Sequence, residues 1–423
     1  MAEERMLITG GQRLEGTVRV SGGKNTAVAI IPAAILSQTP CVIENLPNIE
    51  DVNVSVETLR YLGAKVNWDP AQGIMEVDSS TINRTDVPLE LCSRMRASSY
   101  YIGALLARFG TARVPLPGGC NIGRRPIDQH IKGMRMLGAQ VDTARGEVFA
   151  EAKNGLLGGD VFMDMVTVGG TINVMLAASM AQGTTTIYNA AKEPHIVDTA
   201  NFLNSMGCTV KGAGTDIIRV RGMQSLGARR PYAVIPDQIE TGTLMIAAAA
   251  THGDVTIQGC IPTHMEALTA KLLEMGARVY ERDDSIRVCS IGAHRAVTFK
   301  TQVYPGFPTD LQQPMSALLC TATGTSTIVE NIFESRFRHL MEMERMGARV
   351  RIFDRTAVIE GVPQLHGAAV EASDLRAGAA LVVAGLMAQG TTEISNTHFI
   401  DRGYEHLEDK LQGLGAKIER IRY

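Results

Sequence analysis

A five-residue pattern returns six times along this chain. It reads Leu62-Gly63-Ala64-Lys65-Val66, then Leu137-Gly138-Ala139-Gln140-Val141, Met206-Gly207-Cys208-Thr209-Val210, Met275-Gly276-Ala277-Arg278-Val279, Met346-Gly347-Ala348-Arg349-Val350 and Leu414-Gly415-Ala416-Lys417-Ile418. Six copies at a nearly constant interval identify a chain built from six related units. The residues before each copy carry helical periodicity, as in Met265 to Met275, where apolar side chains recur at three- and four-residue steps. The glycine then ends the helix and a β-branched strand begins. Upstream of each amphipathic segment lies a second helical segment made almost wholly of small apolar residues, such as Thr171 to Ala181 and Ala377 to Met387. A helix that is apolar all round is buried on all sides. Each unit therefore reads as helix, strand, helix and further strands. The fold class expected is α/β, with six units in two three-unit domains, buried helices inside and sheets outside. No polar capping repeat appears at either end, which argues against an open solenoid.

At 423 residues the chain exceeds one ordinary core. Its Lys and Arg total 41 against 44 Asp and Glu, a net charge of -3, and aromatic residues make up 5%. Neither a global basic field nor a base-stacking surface is present, so nucleic acid and anionic membranes are not expected partners. No apolar run reaches the roughly 18 residues that span a bilayer, and the first residues lack a signal-peptide core. Seven cysteines, an odd number set mostly in apolar runs, read as reduced and cytosolic. No Cys or His pair has zinc-site spacing.

The buried helices start with polar residues: Gly22-Gly23-Lys24-Asn25, Arg94-Met95-Arg96, Thr167-Val168-Gly169, Asp237-Gln238, Pro308-Thr309-Asp310 and Asp374-Leu375-Arg376. In a repeat architecture equivalent positions share a face. Helix N-termini, with free N–H groups and partial positive charge, would gather there as anion sites, with Lys24, Arg96 and Arg376 adding full charge. The segment from Pro117 to His130 packs Cys120, Arg124, Arg125, Asp128 and His130 among three glycines and two prolines. It reads as a loop, and a thiol beside two guanidiniums ionises more readily than a free one. Together these features fit a multiply charged phosphate ligand.

The segments beginning at Gly22, Met95, Pro117, Phe307, Asp374 and Asp401 resemble, in order and over essentially the whole chain, the UDP-N-acetylglucosamine enolpyruvyl transferases of the enolpyruvyl transferase family. The resemblance implies a two-domain inside-out α/β barrel of six βαβαββ repeats. Residues 24–232 would form the first domain, carrying the Cys120 loop. Residues 1–23 with 233–423 would form the second, with the active site in the cleft between. It also implies transfer of the enolpyruvyl group of phosphoenolpyruvate to the 3-hydroxyl of UDP-N-acetylglucosamine with release of phosphate, the committing step of peptidoglycan synthesis. A bacterial cytoplasmic location follows, with a part in cell-wall biogenesis, cell shape and division. No cofactor or metal is implied, apart from a possible covalent phosphoenolpyruvate or pyruvate-type adduct on Cys120. The oligomeric state stays open.

By the same resemblance Cys120 is the general acid and the fosfomycin target, and Asp310 is the base at the sugar hydroxyl. Lys24, Arg125 and Arg402 would bind phosphoenolpyruvate, with Arg96 and Arg376 as further basic positions, Arg376 nearer the domain gap, and Asn25 as a substrate contact. Arg125, Pro126, Ile127, Asp128, His130, Thr167, Val168 and Gly169 would line the uridine and diphosphate, and Ile332 the sugar. The Cys120 loop is expected to move as the nucleotide sugar closes the domains. Two positions depart from many relatives, Met165 in place of Lys and Gln238 in place of Arg. The alternatives are a nucleotide-sugar-binding regulator with weak turnover, enolpyruvyl transfer to another acceptor such as shikimate 3-phosphate, or a non-enzymatic scaffold.

Overall fold

The computed structural model describes residues 4–116 and 126–422. The chain divides into two bodies, one of residues 22–116 and 126–235, the other of 4–21 and 236–422. The crossings fall a few residues outside the expected bounds of 24 and 232.

Each body is built around three helices with little polar surface. In the first they are α1 (Lys24–Ala33), α2 (Tyr100–Phe109) and α3 (Val168–Ala178). In the second they are α4 (Gln238–Ala250), α5 (Thr309–Leu319) and α6 (Leu375–Met387). From Leu375 to Leu386 every side chain of α6 is buried, as the apolar run in the sequence requires. In the first body α2 packs on both α1 and α3, and in the second α4, α5 and α6 pack pairwise. Small residues set the spacing. A Cβ on Gly103 would lie 2.3 Å from Asn173 Oδ1, and one on Gly242 would lie 2.4 Å from Leu311 Cδ1.

Among the described residues the two bodies hold six sheets, five of four strands and one of three. Every four-stranded sheet repeats one pattern: a parallel pair at one edge, then two antiparallel pairings. Strands such as Thr184–Tyr188 alternate exposed and buried residues, burying one face on the helices. Strands from distant parts of the sequence complete several of these sheets. Glu4–Thr9 lies between Thr391–Ser395 and Lys417–Arg422, Glu15–Arg19 joins Asp254–Gln258, and Tyr232–Ala233 joins Cys41–Glu44. The six recurring glycines adopt φ of 87° to 102°, the left-handed turn between helix and strand that side chains bearing a Cβ disfavour.

Candidate functional site

Expected site residues occur in both bodies. The second body holds the denser charge. Asp310 sits in the first turn of α5. Its Oδ1 accepts from Arg336 Nη2 at 2.7 Å, and its Oδ2 accepts from Arg376 Nε and Nη2 at 3.2 and 3.1 Å. Both guanidiniums are 3% exposed, whereas Asp310 keeps 27% of its side chain exposed. Burial pushes the Asp310 carboxyl up, but the two guanidiniums outweigh it and hold it well below the usual carboxylate range. Arg376 also stacks over the Tyr404 ring at 5.2 Å, and the Tyr404 hydroxyl lies 2.8 Å from Thr243 Oγ1. Arg336 Nε and Arg376 Nη1 are buried and have no hydrogen-bond partner among the described residues. Within this trio two guanidiniums meet one carboxylate, and the buried Glu330 carboxylate, which reaches Arg336 through Thr309, offsets the remaining charge; the two N–H donors are the feature that suits an anion.

Ile332 is anchored through its backbone, its N–H donating to Glu330 Oε1 at 2.8 Å. Arg402 follows the short helix His398–Asp401 and is half-buried; its neighbour Asp401 pairs with Arg420 at 2.7 Å. Arg376 is buried in the Asp310 cluster, joined by Arg336, which sequence reasoning missed. No sequence signal marks Arg336. It follows an irregular segment rather than opening a buried helix.

In the first body Lys24, the first residue of α1, pairs with the buried Asp51 at 2.9 Å, and Asn25 beside it is half-buried. Arg96 begins a single 3-10 turn leading into α2 and is half-buried. A second cluster joins the start of helix Asp128–Met136 to the start of α3. Gln129 Oε1 accepts from Asp164 N at 2.9 Å, and Gln129 Nε2 donates to Asp128 Oδ2 at 2.8 Å. His130 Nδ1 lies 2.9 Å from Asn173 Nδ2, and Asn173 Oδ1 accepts from Gly103 N at 2.7 Å. With Asn173 Nδ2 as donor, Nδ1 is an acceptor and the neutral ring carries its proton on Nε2. Burial, then the charge of Arg96, pushes His130 down to about 4. A Cβ at Gly169 would lie 2.8 Å from His130 Nε2, so only glycine fits here without displacing the ring. Thr167 caps α3 by accepting from Gly170 N at 3.3 Å, and Val168 follows it, half-buried. Ile127 is buried; Pro126 and Asp128 are exposed. The structure thus brings His130 and Gly169 together, with Arg96 close enough to act on His130. Cys120 and Arg125 lie outside the described residues.

The expected row of open helix N-termini needs correction. Asp237 Oδ1 accepts from Ile239 N and Glu240 N, and Asp374 Oδ1 accepts from Arg376 N and Ala377 N. Carboxylate caps use those N–H groups and offset their positive charge, so α4 and α6 do not present open anion sites. Of the two departures, Met165 is 57% exposed and Gln238 follows the Asp237 cap. Beside Met165, Asp164 pairs with Lys132 at 2.5 Å. Among the described residues no His, Cys, Asp and Glu cluster could hold a metal, and no helix is long and apolar enough to cross a membrane.

Residues 8–411 match the family described as EPSP synthase (3-phosphoshikimate 1-carboxyvinyltransferase). A UDP-N-acetylglucosamine 1-carboxyvinyltransferase of Clostridium botulinum is 55% identical over 418 residues, spanning 99% of this chain and 100% of that one. UDP-N-acetylglucosamine 1-carboxyvinyltransferase 3 of Caldanaerobacter subterraneus subsp. tengcongensis is 54% identical over 419 residues, again 99% and 100%. Among solved structures, the enolpyruvyl transferase NikO from Streptomyces tendae aligns with a TM-score of 0.88 at 28% identity, over 100% of both chains. EPSP synthase from Acinetobacter baumannii shares the fold, with a TM-score of 0.75 at 17% identity over 99% of this chain and 100% of that one. Full-length identity and the family match agree: this chain belongs to the enolpyruvyl transferases, among the UDP-N-acetylglucosamine 1-carboxyvinyltransferases.

Proposed function

We propose that this chain transfers the enolpyruvyl group of phosphoenolpyruvate to the 3-hydroxyl of UDP-N-acetylglucosamine and releases phosphate, the step that commits the nucleotide sugar to peptidoglycan. The observation that carries the chemistry is Asp310 held between Arg336 and Arg376. Relatives at 55% and 54% identity over their whole length support the choice of substrates. The recurring glycine turns and strand pattern support the six-repeat inside-out barrel, three repeats to a body.

The reaction proceeds by addition and elimination. The sugar hydroxyl adds to C2 of phosphoenolpyruvate while C3 gains a proton from Cys120, and Asp310 takes the hydroxyl proton. Loss of phosphate and of a C3 proton then restores the double bond. In its resting ion pairs Asp310 is ionised but weakly basic, because both oxygens already accept from guanidiniums. An anionic substrate competing for Arg336 and Arg376 loosens that hold and raises the basicity of Asp310 at the moment it is needed. Lys24, Arg125 and Arg402 add charge for the phosphate and carboxylate, Arg96 is a further basic position and Asn25 a substrate contact. His130 with Gly169, Thr167, Val168, Pro126, Ile127 and Asp128 forms the nucleotide side, and Ile332 meets the sugar. A thiol serving as acid is open to fosfomycin and to a covalent substrate adduct.

Phosphate release from phosphoenolpyruvate, measured with UDP-N-acetylglucosamine, with shikimate 3-phosphate and with neither, tests the reading. Release that requires the nucleotide sugar and falls by about 10²-fold or more in Cys120→Ala is expected. Release driven by shikimate 3-phosphate would overturn the acceptor. Tight nucleotide-sugar binding without release would make the chain a regulator.

A further inference from the structure

Glu330, one residue past strand Thr325–Val329, is fully buried. A buried carboxylate is retained only where hydrogen bonds replace its water. Here Oε1 accepts from Thr301 Oγ1 at 2.8 Å, Ile332 N at 2.8 Å and Phe333 N at 3.2 Å. Oε2 accepts from Thr309 Oγ1 at 2.8 Å. The Thr309 hydroxyl has one proton, and Glu330 takes it. Its lone pair is thereby turned to accept from Arg336 Nη1 at 2.7 Å. The other arm of the same guanidinium, Nη2, donates to Asp310 Oδ1 at 2.7 Å. The planar fork fixes both ends of this bridge together, so aiming one arm aims the other.

We infer that Glu330 is a positioning residue for Asp310, acting through the Thr309 hydroxyl and the Arg336 guanidinium. This rests on the reading of Asp310 as the group that takes the sugar hydroxyl proton. Glu330 touches neither substrate nor reacting atoms in the role proposed. It sets the polarity of one hydroxyl, which sets the angle of one guanidinium, which sets the carboxylate. By binding Ile332 N and Phe333 N it also ties the expected sugar-side segment to the same anchor.

Glu330→Gln separates the two tasks. The amide oxygen still accepts from Thr301, Ile332 and Phe333, so the loop keeps its anchor. The amide nitrogen, a donor, faces Thr309 and reverses the hydroxyl. The hydroxyl oxygen then shares its two lone pairs between the amide and Arg336 and is no longer polarised by a carboxylate, so its hold on Arg336, and that of Arg336 on Asp310, slackens. Thr309→Val breaks the same link from the other side at nearly constant volume. Each variant should lower kcat by about ten- to hundred-fold, with KM for both substrates within about three-fold of wild type, because misplacement of a reacting group is felt in the transition state. The double variant should lose no more than the larger single loss. A purely structural role instead predicts additive losses that follow the fall in Tm.

A second readout needs no turnover. The charged groups facing Asp310 are Arg336, from the segment before helix Arg338–Arg345, and Arg376, from α6, with Glu330 and Tyr404 behind them. Carboxyl NMR of aspartate-labelled protein at neutral pH, assigned with Asp310→Asn, reports the surroundings of the Asp310 carboxylate directly. Its resonance should shift in Glu330→Gln and in Thr309→Val alike. An unshifted resonance with unchanged kcat overturns the positioning role. A shifted resonance in a protein that does not turn over these substrates keeps the positioning role and overturns the substrate reading instead.

Discussion

The Asp310 cluster and the His130 cluster solve opposite problems. Around Asp310 the structure buries full charges and lets them satisfy one another, two guanidiniums on one carboxylate. Around His130 it buries a titratable ring and keeps it neutral, with the Asn173 amide as partner and a glycine against its outer nitrogen. The first arrangement leaves two buried N–H donors with no acceptor among the described residues, a feature suited to an anion. The second leaves a neutral ring with one N–H against Gly169. The difference teaches that burial alone does not define a binding group. What the partner is, ion or dipole, decides whether a buried residue attracts charge or excludes it.

Asp310→Asn tests the charged side most severely. It leaves two buried guanidiniums facing a neutral amide and should cost about 3 kcal/mol at neutral pH, the low end for a broken buried pair because Asp310 is 27% exposed. The pH dependence has a definite sign. The folded pKa lies below the unfolded value of about 3.9, so the stabilisation is complete above about pH 5 and is lost only as pH falls toward the strongly acidic range. The gap between wild type and variant in urea melts should therefore narrow below about pH 4. A loss no larger than that of an exposed ion pair, about 0–1 kcal/mol, would mean the cluster is not held together by its charges.

A smaller effect sharpens the neutral side. His130 is lowered to about 4 in the fold, below its unfolded value, so the unfolded chain binds the extra proton first on acidification. Its contribution is complete above about pH 6.5 and is lost as pH falls toward about 4. Between pH 7 and pH 5, wild type should lose about 2 kcal/mol more than His130→Gln, at about 1.4 kcal/mol per pH unit for one proton. Parallel melts across that window would show instead that the ring takes up its proton inside the fold.

Much of this was legible in the sequence, for reasons particular to each residue. The six recurring glycines were readable because each occupies a left-handed turn that a side chain disfavours. The buried helices were readable because burial on every side selects long runs of small apolar residues, with polar side chains such as Asn173, Gln312 and Arg376 kept only among them. Asp310 and His130 sat in segments recognisable by resemblance. Arg336 and Glu330 did not, since each draws its meaning from chain neighbours brought close only by folding, Thr309 above all. The open helix ends were misjudged at α4 and α6 because a capping aspartate and an anion compete for the same N–H groups. A polar helix start in the sequence does not say which of the two is served.

The division of labour between the clusters is most directly tested by steady-state kinetics of Arg336→Met beside His130→Gln, with both substrates varied. Arg336→Met should raise KM for phosphoenolpyruvate and lower kcat, with KM for UDP-N-acetylglucosamine held within about two-fold; His130→Gln should do the reverse, raising KM for the nucleotide sugar alone. If both variants raise the same KM, the charged and neutral clusters serve one ligand, and the assignment of one anion side and one nucleotide side is wrong.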